Sequence, residues 1–314
     1  MLTRRRLITS GLGATVGLAL GDGTQPAVAQ REAAPPGRRQ IVDAQVHLWQ
    51  PEGPDRPWIP GMKPQLPEPF GYPRLLGLMD EAGVNRVVIV PPSWEGDRID
   101  YGLEAAAKHP DRFGVMGRIP LAAPGSSALI PTWKQQRGML GIRVTFLGPQ
   151  GALLTNGTAD WLWPAAEKAG IPIMFLAGEL LPRFGAIAER HPGLPIIADH
   201  MGLNIDLVKA NKTAEAISHT VALAKYPNVS VKLSATPAYS AEAYPWKDMT
   251  PHIKRLYDVF GPQRCYWGTD MTNSFDKATY KQRVTHVTET LDFLSEPDKD
   301  WVMGRAIMAR LGWA

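Results

Sequence analysis

The stretch Arg264-Cys265-Tyr266-Trp267-Gly268-Thr269-Asp270 decides the fold. An apolar strand stops there at a carboxylate, and Met271-Thr272-Asn273-Ser274 turns the chain away. Two earlier segments end in the same manner on a side chain capable of chemistry: Ile41-Val42-Asp43-Ala44-Gln45-Val46-His47 and Pro195-Ile196-Ile197-Ala198-Asp199-His200. Working outward, strand-like runs fall at 41–47, 86–90, 112–118, 139–145, 171–176, 194–199, 228–233 and 263–268. Several are apolar throughout, as strands covered on both faces are. Helix-like runs alternate with them at 73–82, 98–108, 126–136, 159–169, 180–190, 206–225, 249–260 and 277–293. Gly or Pro closes several of these, as in Glu81-Ala82-Gly83 and Lys168-Ala169-Gly170, which is how helices commonly end. Eight β-α units predict an α/β protein of the (β/α)₈ barrel type rather than an open sheet, with a final helix over 299–311 as a cap.

The ends of the chain carry separate information. Thr3-Arg4-Arg5-Arg6-Leu7-Ile8 is a basic start, 7–20 is modestly apolar, and Ala27-Val28-Ala29 reads as a cleavage site before Gln30. Residues 1–29 are therefore expected to be an export signal of twin-arginine type, which places the mature protein in the periplasm or beyond. Residues 30–40 read as a mobile leader, and 41–314 as one barrel domain, since barrels of roughly 250 residues are typical. Removing 1–29 takes Lys+Arg from 34 to 31 and Asp+Glu from 30 to 29, a net charge of +2. No basic run points to nucleic acid, and no apolar stretch after the signal is long enough for stable membrane insertion. Cys265 is the only cysteine, so an intrachain disulfide and a thiolate metal cluster are both excluded. No sequence mark specifies an oligomeric state.

Two connections are too long for turns: the proline-rich segment 50–72 after the first strand and 234–248 after the seventh. Both follow strand ends and are expected to wall or cover the mouth. Trp49, Trp58, Tyr72 and Trp246 are candidates to shape the pocket or to cover the core.

Barrel active sites sit at the C-terminal ends of the strands. Residues i and i+2 of a strand point to one side, so Gln45 and His47 are expected to face the mouth together with His200 and Asp270. The pattern Asp43-Ala44-Gln45-Val46-His47, with His200 closing strand six and Asp270 closing strand eight, resembles the amidohydrolase superfamily in its amidohydrolase-related branch. Gly141-Ile142-Arg143 and Met303-Gly304-Arg305-Ala306 extend the resemblance, which runs from about Ile41 to Trp313. Relatives include lactonases of cyclic carboxylated esters and decarboxylases of aromatic acids. The resemblance implies Asp270 as general base, with Gln45, His47, His200 and Asp270 as ligands of one divalent metal, Zn or Mn, that polarises a carbonyl. Gln45 stands where most of the superfamily has a first histidine, and a glutamine carbonyl is a weak ligand for zinc. Without metal, Gln45, His47 and His200 would polarise the carbonyl as hydrogen-bond donors.

Arg118, Arg143 and Lys232 lie in or at the ends of apolar strands with no partner in their own segments. Buried cations need an anion, so these three, with Gln45 and Tyr72, are the candidate substrate-binding set for a small anionic molecule. Ion pairing with Asp43 or Asp199 is the alternative. His109 and His191 read as helix caps, and His219, His252 and His286 as outer-ring residues. Hydrolysis of a carboxylated lactone is the favoured expectation. Metal-dependent decarboxylation on the same site, and a non-catalytic periplasmic binding barrel, are the alternatives.

Overall fold

The computed structural model describes residues 39–314. The expected export signal, and all of the leader except Arg39 and Gln40, lie outside the described residues. Arg39 is tied to the domain: its Nε donates to Asp300 Oδ1 at 2.6 Å and its Nη2 to Glu296 Oε2 at 2.6 Å. The described residues, Arg39–Ala314, form one compact unit.

The eight expected strands form: β1 (Val42–Val46), β2 (Arg86–Ile89), β3 (Phe113–Gly117), β4 (Met139–Thr145), β5 (Ile173–Leu176), β6 (Ile196–Ala198), β7 (Val229–Leu233) and β8 (Cys265–Trp267). They pair in parallel in chain order, β1 through β8. Helices Tyr72–Ala82, Asp100–Lys108, Leu162–Ala169, Arg183–Arg190, Thr213–Ala222 and Thr250–Phe260 lie between strands as crossovers. This is the (β/α)₈ architecture. Gly83, at φ 76°, ends the first of these helices in the left-handed conformation that favours glycine. The helix expected at 126–136 is instead a run of 3₁₀ turns over Ser126–Gln135. Pro131 sits inside it without an N–H to give, so an α-helical ladder cannot run through.

Two apolar layers result. Val46, Val87, Val115, Ile142 and Ile173 pack outward against the helices. Val42, Ala44, Val88, Met116, Met174 and Ile197 fill the barrel interior, where Ile307 and Leu311 of the last helix (Ala306–Leu311) join them. The register shifts between Asp43 and Val46. That bulge changes which parity of β1 faces inward, so Ala44 fills the lower interior while Gln45 and His47 both reach the mouth. Bulges beside active sites commonly re-aim side chains this way.

The seam between β8 and β1 is closed by one carboxylate. Asp43, fully buried, accepts from Thr269 N (2.8 Å), Thr269 Oγ1 (2.5 Å), Tyr280 Oη (2.7 Å) and Gln45 N (3.0 Å). One backbone bond follows it, Asp270 N to Gln45 O at 2.9 Å. Gly268 keeps this seam close, because an added Cβ would crowd Ala44 and Gln45 at 3.3 Å. Among the described residues no helix is long and apolar enough to cross a membrane. Replacing Asp43 with Ala removes the acceptor of four buried donors, each worth about 1–3 kcal/mol if left unpaired. Urea titration of Asp43→Ala is expected to show a loss of roughly 3 kcal/mol or more, with the denaturant slope unchanged.

Candidate active site

Three strand exits carry the central groups, and all three bend through left-handed backbone. His200 follows β6 at φ 53°, Ala235 follows Ser234 after β7 at φ 62°, and Asp270 follows β8 at φ 46°. Non-glycine residues hold this conformation at a cost of order 1–3 kcal/mol each, and such residues cluster at functional sites. The bends turn His200 and Asp270 into the barrel mouth, where both are almost fully buried.

His47 Nδ1 lies 2.6 Å from Val90 O, a pure acceptor, so Nδ1 carries the hydrogen. His47 Nε2 lies 3.0 Å from Asp270 Oδ1. A neutral imidazole would present a lone pair to the carboxylate there, so the pair holds a proton between them. Asp270 Oδ1 has no well-aligned donor despite this approach. His200 Nε2 stands 3.7 Å from Asp270 Oδ2, and Asn273 Nδ2 donates to that same oxygen. Burial opposes ionisation of Asp270, but the charges and hydrogen bonds of His200, His47 and Asn273 outweigh it and hold the carboxyl well below the usual range. Burial pushes His200 down, toward its neutral form.

Gln45 is oriented by its other end. Lys232 Nζ donates to Gln45 Oε1 at 2.6 Å, so the amide nitrogen faces the site. It stands 3.2 Å from His200 Nε2 and 3.5 Å from His47 Nε2. With Gln45 donating to His200 Nε2, His200 Nδ1 donates to Ser234 Oγ at 2.9 Å.

The three strand cations divide. Lys232 is fully buried and lies 2.8 Å from Asp199 Oδ1; Arg143 Nε donates to Asp199 Oδ2 at 3.1 Å. Burial would raise Asp199, but these two cations pull it below its ordinary value. Lys232 points inward yet is sealed beneath Gln45 and so cannot touch a ligand, correcting its expected substrate-binding place. Arg118 differs. Its Nε donates to Pro91 O (2.9 Å) and its Nη2 to Thr145 Oγ1 (3.3 Å), with no carboxylate in ion-pair reach among the described residues. Burial, and then the neighbouring Arg143, bring Arg118 down to about 9, which leaves it cationic at neutral pH.

A cavity of about 540 Å³ opens above these groups, lined by His47, His200, Asp270, Arg118, Arg143 and Thr145. Gln65 of loop 50–72 and Tyr239 of loop 234–248 form its walls. Tyr72 does not reach it: its hydroxyl accepts from Lys108 Nζ at 2.9 Å and lies 3.3 Å from Glu104, on the outer helices. Nor do Trp49, Trp58 or Trp246 line it; the tryptophan that does is Trp94. Thr145, Asn273, Ser234 and Trp94 went unread in the sequence. Thr145 had a signal, because it stands two residues beyond Arg143 on the same strand face. The other three lie on exits and turns with no periodicity to mark them. His109 and His191 cap helix C-termini, their N–H groups bonding to Ala105 O and Ile187 O.

The amidohydrolase family profile matches residues 42–308, and the chain belongs to that family. It is an enzyme of the hydrolase class. It is similar to an L-fucono-1,5-lactonase of Burkholderia ambifaria, 29% identical over 244 residues that cover 73% of this chain and 79% of that protein. A zinc-bound amidohydrolase of Burkholderia multivorans superposes with a TM-score of 0.74 at 19% identity, over 87% of this chain and 99% of the other. A probable 2-pyrone-4,6-dicarboxylic acid hydrolase of Acinetobacter baumannii with citric acid bound gives 0.71 at 15% identity, over 87% and 100%.

The zinc belongs to that neighbour; for this chain a divalent metal at Gln45, His47, His200 and Asp270 is what the motif resemblance implies. The donor set of this chain does not fit one. Gln45, expected as a ligand, presents an amide N–H₂ instead of its oxygen. Among the described residues no three His, Cys, Asp or Glu side chains are grouped to hold an ion.

The ion-pair geometry makes a separation by stability. Asp199→Asn strips the counter-charge from Lys232 and Arg143, and urea unfolding is expected to show a loss of about 3–5 kcal/mol. Arg118→Gln removes an unpaired cation and is expected to leave stability unchanged or higher. Because Asp199 titrates below its ordinary 3.8 in the folded protein, its contribution is complete at neutral pH. It is lost only as the pH falls below about 4.

Proposed function

We propose that the chain hydrolyses a cyclic ester in a small molecule that carries a carboxylate. The observation that carries this reading is the juxtaposition, in one cavity, of an ionised and imperfectly hydrogen-bonded Asp270 with the unpaired guanidinium of Arg118. The similarity to an L-fucono-1,5-lactonase supports the reaction type.

The steps follow from the site's own groups. Arg118, aided by the partly committed Arg143, takes the substrate carboxylate, since a guanidinium fork matches a carboxylate. The His47 Nε2–H, which faces Asp270 Oδ1 in the free enzyme, passes its hydrogen bond to the lactone carbonyl oxygen as that atom gains charge, which frees Asp270 to act as base. Asp270 removes a proton from a water that attacks the carbonyl carbon. The ring C–O bond then breaks, and the proton passes from Asp270 to the departing alkoxide oxygen. His200 accepts from Gln45 and so does not donate; its part is to hold the Gln45 amide toward the site. Decarboxylation on this site would call for a firmly held metal, which the Gln45 amide opposes.

Incubation with five- and six-membered lactones bearing a carboxylate, followed by NMR, is expected to show ring opening to the hydroxy acid. Release of CO₂ without ring opening would point to decarboxylation instead. Asp270→Asn is expected to lower kcat by about 10³-fold, the scale of general-base loss, with the fold intact. The free-enzyme pKa of Asp270 lies below 3.8, so kcat/KM should stay flat from neutrality down to about pH 4. An acid limb near pH 6 would assign the base to another group.

A further inference from the structure

We infer that Lys232 locks Gln45 with its amide N–H groups toward the two site histidines, and that this orientation makes the site refuse a divalent cation. The inference stands whether or not the substrate is a lactone. Lys232 is a donor only, is fully buried, and places Nζ 2.6 Å from Gln45 Oε1 and 2.8 Å from Asp199 Oδ1. Turning the carboxamide over would set an N–H₂ group against an ammonium with no water to compensate. A buried donor left unpaired in that way costs more than a hydrogen bond contributes. The amide nitrogen therefore stays 3.2 Å from His200 Nε2 and 3.5 Å from His47 Nε2.

Zinc would have to lie about 2.1 Å from each ring nitrogen. The amide hydrogens project into that same space. They carry positive charge, and the Lys232 ammonium stands directly behind them. The donation to His200 Nε2 also consumes the lone pair that a metal would need. Lys232 acts through Gln45 and is a positioning residue: a fixed internal cation stands in the strand framework where an ion would otherwise be recruited.

Gln45→Glu tests this with little change of shape. Lys232 keeps its acceptor, and a carboxylate oxygen replaces the amide nitrogen facing His47, His200 and Asp270. Wild type and variant would each be incubated with zinc, passed through a desalting column and assayed for bound metal by mass spectrometry. Thermal melts of the metal-free proteins would establish that both are folded. Wild type is expected to retain well under one zinc per chain, and Gln45→Glu to approach one, with a zinc-dependent rise in melting temperature. Either of two results overturns the inference. One is wild type retaining one zinc per chain that His47→Ala abolishes. The other is folded Gln45→Glu retaining no more zinc than wild type.

Discussion

A single buried ammonium organises the interior of this barrel. Lys232 has no exposure to water, and a charge in that position is tolerable only with close, well-placed partners. It takes two. Asp199 supplies the counter-charge from the exit of β6 and shares it with Arg143 of β4, which ties three strand ends together below the mouth. Gln45 supplies a neutral oxygen from β1, and by doing so turns its other end toward the histidines. The tautomer of His200, the shared use of Asp199 and the availability of Arg118 all follow from where that one charge is satisfied.

The upper layer of the site is built on that base. Asp43 joins β8 to β1 and so sets the height of Gly268-Thr269-Asp270 against Gln45. The left-handed exits at His200 and Asp270 turn both side chains inward over the sealed ion pair. The buried charges Asp199, Lys232, Arg143, Arg118 and Asp270 sum to one excess positive charge before any shared His47 proton is counted. An anionic ligand restores the balance, which ties the electrostatics of the scaffold to the choice of substrate.

Much of this was legible in the sequence. Strand order, the inward pair Gln45 and His47, and the strand-end positions of His200 and Asp270 follow from period-two alternation and from the rule that barrel sites gather at strand ends. What could not be read depends on contacts distant along the chain. Lys232 meets Gln45 across 187 residues, and no local pattern tells whether a buried cation faces a ligand or a carboxylate. The opposite fates of Arg118 and Arg143 were hidden for the same reason. Tyr72 was misplaced because a proline-rich loop carries no periodicity to show which way its last residue turns. The 3₁₀ run at Ser126–Gln135 shows composition overruled by one proline.

The central claim is that an unpaired guanidinium selects an anionic substrate for the base beside it. The most direct measurement compares kcat/KM for a carboxylated lactone and for the same lactone with that carboxylate methylated, in wild type and in Arg118→Gln. Loss of a charge-assisted contact of about 1.5–3 kcal/mol predicts that wild type favours the free acid by roughly 10- to 150-fold. The variant should lose most of that preference while its turnover of the methyl ester stays near wild type. Equal turnover of acid and ester by wild type would contradict the claim.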